Sequence, residues 1–212
     1  DNGGRAITDY VVQYSTDGTS WSTFDDGVST DTTATITGLT RGTTYQVRVR
    51  AVNIEGQSAA VTVTSLVPAV KSSPVTAIAV TGKSASSVSL SWSAPSDNGG
   101  RAITDYVVQY STDGSSWSTF ADGTSIVTTA TVSGLTRGVT YYFQVAAVTA
   151  EGNSDFLQMT GSAIPAIAPS SPTALTLLSK TATSLTVGWT APSDNGGRAI
   201  TDYVVQYSTD GT

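Results

Sequence analysis

The stretch that decides the fold, DNGGRAITDYVVQYSTDG, occupies residues 1–18 and recurs unchanged at residues 97–114 and 194–211. The second copy starts 96 residues after the first, and the third starts 97 residues after the second. This period exceeds the roughly 20–50 residues of a solenoid repeat and matches the size of a small independent domain. The sequence therefore predicts tandem domains, of which one is complete.

Within the complete domain, apolar and polar residues alternate in short segments that are separated by Gly, Asn and Asp. A period of two is the pattern of a half-buried strand, and Asn-Gly and Asp-Gly favour tight turns. Several short strands at this spacing predict an all-β sandwich or barrel. The predicted core residues are Val88, Leu90, Trp92, Tyr106, Val108, Tyr110, Leu135, Tyr141, Phe143 and Val145.

The motifs of this domain resemble those of the fibronectin type III family, in the variety found in bacterial secreted and surface proteins. Trp92 before Ala94-Pro95 is similar to the family's strand B and B–C turn, and Asp97–Tyr110 to its B–C loop and strand C. Leu135–Ser154 looks like the E–F corner, strand F and F–G loop. The resemblance implies a seven-stranded, immunoglobulin-like β-sandwich with a tyrosine corner at Tyr141, and at Tyr45 in the first copy.

The same resemblance sets the predicted domain boundaries. It implies a partial module with strands C to G, a linker, a complete module, a second linker, and a partial module with strands A to C, at residues 1–66, 67–71, 72–164, 165–169 and 170–212. Two interpretations of the partial modules remain open. The sequence is a window onto a longer array, or the carboxy-terminal fragment of one chain completes the amino-terminal fragment of another by strand donation.

Composition excludes several classes of function. The net charge of −6 argues against a phosphate backbone or a polybasic membrane contact as partner. The chain has no Cys and no His, so it lacks thiolate chemistry and the commonest general base and metal ligand. We expect no catalytic residue, no cofactor, no bound metal, no nucleic-acid partner and no membrane span in this segment.

Candidate binding residues are few. Trp117 and Phe120 recur as Trp21 and Phe24, and they are interpreted either as packing at the rim of the sandwich or as a surface for sugar stacking. Arg101 and Arg137 also recur, and they are interpreted either as solvated loop residues or as contacts between successive modules. The Gly-rich loop Asp97–Arg101 is interpreted as a connection, because its acidic residues do not have the spacing of a calcium loop.

The sequence predicts a non-enzymatic structural spacer in a secreted or cell-surface protein, such as an adhesin stalk or a fibre. Proline-containing linkers and near-identical copies favour this hypothesis. The alternatives are an adhesive or carbohydrate-binding accessory module of a secreted polysaccharide-degrading enzyme, and a self-assembling filament subunit. The expected partners are neighbouring modules, with other copies of the chain, a glycan or a host matrix protein as alternatives.

Overall fold

Every regular element of the computed structural model is a β-strand within residues 2–209, the part of the chain that the structure describes. None of these residues form a helix of the length and apolarity that a membrane crossing needs. The chain divides into two compact units. One contains residues up to Ser73 with Ser96–Ile103 and Val148–Asn153; the other contains Pro74–Pro95, Thr104–Ala147 and the residues from Ser154 onward.

The first unit is built around one antiparallel sheet. Its strands are β1 (Asp9–Ser15), β2 (Ser22–Phe24), β3 (Tyr45–Asn53), β4 (Gly56–Gln57) and β5 (Val61–Leu66), in the order β2-β1-β3-β4 with β5 also on β3. The strands β1 and β3 pair along their length, from Asp9 opposite Val52 to Ser15 opposite Gln46. The alternation of the sequence places Val12 inside, while Arg48 donates a hydrogen bond to Gln13 on the other face.

The second unit contains the sandwich. One sheet has the order β10-β7-β6, from β6 (Thr76–Lys83), β7 (Val88–Ser93) and β10 (Thr129–Val132). The facing sheet has the order β12-β11-β8-β9 with β13 also on β11, from β8 (Asp105–Ser111), β9 (Ser118–Thr119), β11 (Tyr142–Thr149), β12 (Gly152–Asn153) and β13 (Leu157–Gln158). The end of β11 and all of β12 belong to the first unit. Further along the chain, β14 (Thr173–Lys180) pairs with β15 (Leu185–Thr190).

The predicted core residues lie between these two sheets. Trp92 and Tyr106 are each 5% exposed and meet edge to face, with ring centroids 5.4 Å apart. Of the ten predicted residues, only Tyr110 is half-buried, and its ring packs edge-on against Tyr141. The fully buried ones are Val88, Leu90, Val108, Phe143 and Val145. The predicted fold class, an all-β sandwich, is confirmed.

The tyrosine corner is present in two copies. The backbone N–H of Thr136 donates a hydrogen bond of 3.0 Å to the Tyr141 hydroxyl, and Thr40 donates one of 3.1 Å to Tyr45. Both hydroxyl groups lie on buried residues, so the bond satisfies a polar group that burial would otherwise leave unpaired. The corner therefore ties the loop before strand F to the core.

Two predicted strands are not formed. The last partial module has β14 and β15 where strands A and B were predicted, but residues 201–208, the predicted strand C, are not a strand. The first partial module has no strand at residues 33–36, which correspond to β10 of the complete module. In the complete module, β8 pairs with β11, and β10 pairs with β7. Within residues 2–209, the two partial modules contain no equivalent of these partner strands, so the segments have no ladder to join.

Candidate functional site

Chemically reactive groupings are scarce in this molecule. Between residues 2 and 209, no cluster of three or more Asp and Glu side chains is placed to hold a metal ion, and the sequence supplies no His or Cys. The candidate binding features that remain are the aromatic edge near Trp117, the two predicted arginines and the Gly-rich loop. Each was identified in the sequence.

The aromatic edge lies next to the outermost strand of its sheet. Trp117 and Phe120 flank β9 and are half-buried, and the Phe120 N–H donates a hydrogen bond of 2.9 Å to the carbonyl oxygen of Val108. Both residues therefore lie at the edge of their sheet, beside the outer strand β9. Because both residues are only partly buried, part of their surface contacts solvent.

The equivalent tryptophan in the first unit has an arginine over its ring, although its burial is similar. The Arg48 guanidinium lies 4.0 Å from the ring centroid of Trp21, a cation–π contact, and the indole N–H donates to the Gly18 carbonyl oxygen. In the complete module, Gln144 stands in the position of Arg48, and it donates to Gln109 just as Arg48 donates to the equivalent Gln13. An amide side chain does not carry the charge of a guanidinium group. That neighbour therefore provides no guanidinium to cover Trp117, so the Trp117 face is the better candidate for sugar stacking.

The turn that precedes each tryptophan is held by an aspartate. The Asp113 carboxylate accepts hydrogen bonds from the backbone N–H groups of Ser116 at 2.7 Å and Ser115 at 2.8 Å. These bonds, together with one from the Ser111 hydroxyl, hold the pKa of Asp113 well below its ordinary range. The same bonds recur at Asp17 in the first unit. The STDG sequence therefore fixes the turn conformation that positions the aromatic residue.

Arg101 is engaged in an ion pair with a loop of its own module. Its Nε donates to the Glu151 carboxylate at 2.9 Å, and both side chains are 31% exposed. The equivalent pair in the first copy, Arg5 with Glu55, is longer at 3.3 Å and more exposed. Arg101 thus joins the Gly-rich loop to the β11–β12 turn and is not a free solvated side chain.

Arg137 pairs with the Gly-rich loop of the following copy. Its Nη1 donates to Asp194 Oδ2 at 2.7 Å, and the equivalent Arg41 donates to Asp97 Oδ2 at the same distance. The backbone N–H of Gly99, and then the Arg41 guanidinium, lower the pKa of Asp97; Gly196 and Arg137 do the same for Asp194. Arg137 is therefore engaged in an ion pair with a residue 57 positions further along the chain.

Sequence reasoning did not identify the acidic partners of these arginines. The sequence did contain a signal for these ion pairs. In both copies, the Arg of a Thr-Arg-Gly triplet precedes an Asp by nearly the same distance, at Arg41 with Asp97 and at Arg137 with Asp194. The Asp recurs within an identical eighteen-residue stretch, so its recurrence pointed to no specific role.

A cavity of about 210 Å³ in the first unit is lined by Tyr10, Val12, Ile36, Val47 and Val49, among others. The residues equivalent to these in the complete module are core residues: Tyr106, Val108, Val132, Phe143 and Val145. In the complete module, Val88, Leu90 and Trp92 of β7 contribute to the same core. The cavity therefore lies on the face of the first sheet that corresponds to the packed core of the complete module.

Comparison with known proteins places these features in a family. Residues 2–67 and 73–160 match the fibronectin type III domain. The chain is 39% identical over 136 residues to chitinase A1 of Niallia circulans, covering 61% of this chain and 18% of that protein. It is 34% identical over 193 residues to exoglucanase B of Cellulomonas fimi, covering 84% of this chain and 17% of that protein.

The chain spans less than a fifth of the length of these relatives, so the similarity is to their fibronectin type III part, which is non-catalytic. Among solved structures, domains A168–A170 of titin match with a TM-score of 0.53 and 25% identity, over 74% of this chain and 54% of that one. The resemblance seen in the sequence is confirmed: the chain belongs to the fibronectin type III family.

Proposed function

We propose that this chain is a non-enzymatic spacer, an array of fibronectin type III modules that sets a distance between other parts of an extracellular protein. One observation carries the proposal: the identical stretches repeat, and their polar loop groups bond to their own chain. Asp113, Arg101 and Asp97 all have partners within the chain, so these charged loop groups are engaged in holding the fold.

The relatives favour a particular setting for such a spacer. By their names, chitinase A1 and exoglucanase B act on polysaccharides, and the part of each that resembles this chain is a small fraction of its length. Polymeric substrates are too large to enter a cell, so a spacer in this setting works outside it. We therefore place the chain in a secreted bacterial protein, with a polysaccharide-degrading enzyme favoured over an adhesin stalk or a fibre.

The spacer function is tested by building arrays of two, four and six complete modules and measuring the maximum dimension of each in solution by small-angle X-ray scattering. A spacer adds a constant length for each module, because small folded domains joined by proline-containing linkers cannot collapse into one another. A maximum dimension that grows only as the cube root of the mass, as in a single globule, would contradict the proposal.

Carbohydrate binding is the second candidate function, favoured by the half-exposed Trp117 and by the polysaccharide-active relatives. The test is co-sedimentation of the full chain with insoluble chitin and with cellulose, for the unaltered protein, Trp117→Ala and the matched control Trp21→Ala. Binding that Trp117→Ala abolishes and Trp21→Ala leaves unchanged would establish this function. No sedimentation of the unaltered protein would exclude it and leave the spacer.

A further inference from the structure

The same two loops meet twice along this chain. We name the triplets Thr40–Gly42 and Thr136–Gly138 the TRG loops, and Asp97–Arg101 and Asp194–Arg198 the DNGGR loops. Each TRG loop contacts the DNGGR loop that belongs, by sequence, to the following module. Both members of each pair lie within one compact unit, the earlier pair in the first unit and the later pair in the second.

Backbone hydrogen bonds through the linker join the two loops. In the first unit, the Gly42 N–H donates to Pro68 O, the Val70 N–H to Gly99 O and the Ser73 N–H to Asp97 O, at 2.8–2.9 Å. In the second unit the equivalent bonds run from Gly138 to Pro165, Ile167 to Gly196 and Ser170 to Asp194, at 2.8–3.0 Å. The linker is therefore bonded on both sides at each junction and is not a free tether.

Steric contact explains why the DNGGR loop carries two glycines. A Cβ atom added to Gly99 would overlap with the carbonyl oxygen of Val70 in the linker. A Cβ on Gly100 would lie 2.7 Å from Arg41 Cγ and 2.8 Å from the nitrogen of Gly42, and Gly197 meets Arg137 Cγ at 2.6 Å in the same way. The backbones of the two loops approach so closely that no side chain fits between them.

The first copy of the loop provides an internal control. Residues 2–5 have the same sequence, Asn-Gly-Gly-Arg, but no TRG loop precedes them among the described residues. A Cβ on Gly4 would have no atom within 4 Å, although the φ of Gly4, +77°, is close to the +88° of Gly100. The glycine at position 100 therefore has a steric requirement that the same glycine at position 4 does not have.

We propose that the DNGGR loop is a docking surface for the preceding module of the same chain, and that this contact couples the stability of neighbouring modules. The partner surface is the TRG loop with its proline linker, and the Arg–Asp ion pair selects the correct loop. An exposed ion pair adds little affinity, so the pair contributes specificity while the close backbone contact contributes stability. Residues 2–5 would present the same surface to any module placed before them. The coupling is independent of whether the array serves as a spacer.

The first test compares Gly100→Ala with Gly4→Ala in the full chain by amide hydrogen exchange. Both substitutions force alanine into a positive φ, but only Gly100→Ala inserts a methyl group between two backbones. We expect exchange at the Val70 and Ser73 amides to accelerate about ten-fold or more in Gly100→Ala and to stay unchanged in Gly4→Ala. Equal effects of the two substitutions, or unchanged exchange in both, would overturn the proposal.

The second test remains decisive if Gly100→Ala prevents folding. A double-mutant cycle of Arg41→Gln and Asp97→Asn removes each charge while the Asn oxygen can still accept the Gly99 N–H bond. Each single variant should accelerate exchange at Val70 about two- to five-fold, and the double variant should match the singles. Strictly additive effects would show that the two loops do not act on each other.

Discussion

The same seven residues, DYVVQYS, have two different conformations in this molecule. At Asp9–Ser15 and Asp105–Ser111 they form the strands β1 and β8, but at residues 202–208 they form none. The central valine of the motif is 5% exposed at Val12 and 0% exposed at Val108, whereas Val205 is 61% exposed. Because the sequence is identical, its intrinsic strand propensity cannot explain the difference.

The difference lies in the partner strand. The first copy pairs with β3 along seven residues and the second with β11, while the third has no equivalent of these strands within the described residues. The TAT segment at residues 33–35 shows the same effect. Its counterpart in β10 pairs with β7, and the described part of the first unit contains no equivalent of β7. Strand formation in this fold is therefore decided by non-local pairing.

The largest expected effect is the conversion of the third copy into a strand. We would append residues 116–164 after Thr212, which supplies the equivalent of β11. Residues 202–208 should then become a strand and Val205 should become buried, because the missing ladder is restored. Carbon chemical shifts and amide exchange of these residues would report the change.

A matched control for this extension carries Asp in place of the residue equivalent to Phe143, which is 0% exposed in the complete module. A charge at this position prevents the sandwich from closing. If residues 202–208 gained strand structure in the control as well, or gained none in either chain, the explanation by partner strands would be wrong.

The next largest effect concerns the packing of a tryptophan in the complete module and of its equivalent in the last partial module. Trp92 is 5% exposed, whereas the equivalent Trp189 is half-buried, although each ring packs edge-on against a tyrosine. Trp92→Ala should lower the free energy of unfolding by about 3–5 kcal/mol, and Trp189→Ala by about 1 kcal/mol or less. Urea denaturation followed by circular dichroism would measure both, and equal losses would contradict the difference in packing.

A smaller effect concerns the tyrosine corner. Tyr141→Phe removes the acceptor of the Thr136 N–H, and we expect a loss of about 1 kcal/mol in the free energy of unfolding. Tyr45→Phe removes the equivalent bond in the first unit, where the cavity beneath the sheet leaves the core less filled. Differential scanning calorimetry should show a lower melting temperature for each variant than for the unaltered protein. An unchanged melting temperature in both variants would show that the corner does not stabilise the fold.

Sequence patterns predicted the features that depend on local order. The alternation in Val88–Trp92 and in Tyr141–Val145 identified the faces of β7 and β11. The absence of a strand at residues 202–208 could not be predicted in this way, because the identical residues form a strand in the other two copies. The ion pair between Arg137 and Asp194 was also missed, since its two residues are separated by 57 positions and meet only through a folded linker.

The smallest effect tests whether the turns, unlike the strands, are local structures. Asp17 and Asp113 accept the same N–H bonds in the two units, and these bonds lower the pKa of both carboxyl groups. A pKa lower in the folded than in the unfolded chain contributes stability that is complete above the ordinary Asp pKa of about 4. That stability is lost as the pH falls further, through the folded-state pKa.

Both carboxyl groups should therefore titrate well below the ordinary range in a carbon-13 NMR titration of the full chain, although only one of them lies in a complete sandwich. Asp17→Asn and Asp113→Asn should each reduce the fall in melting temperature between pH 5 and pH 3 by a similar amount, because the bonds lie within six consecutive residues. A normal pKa at Asp17 together with a lowered one at Asp113 would mean that this turn, like the strands, needs the closed sandwich to form.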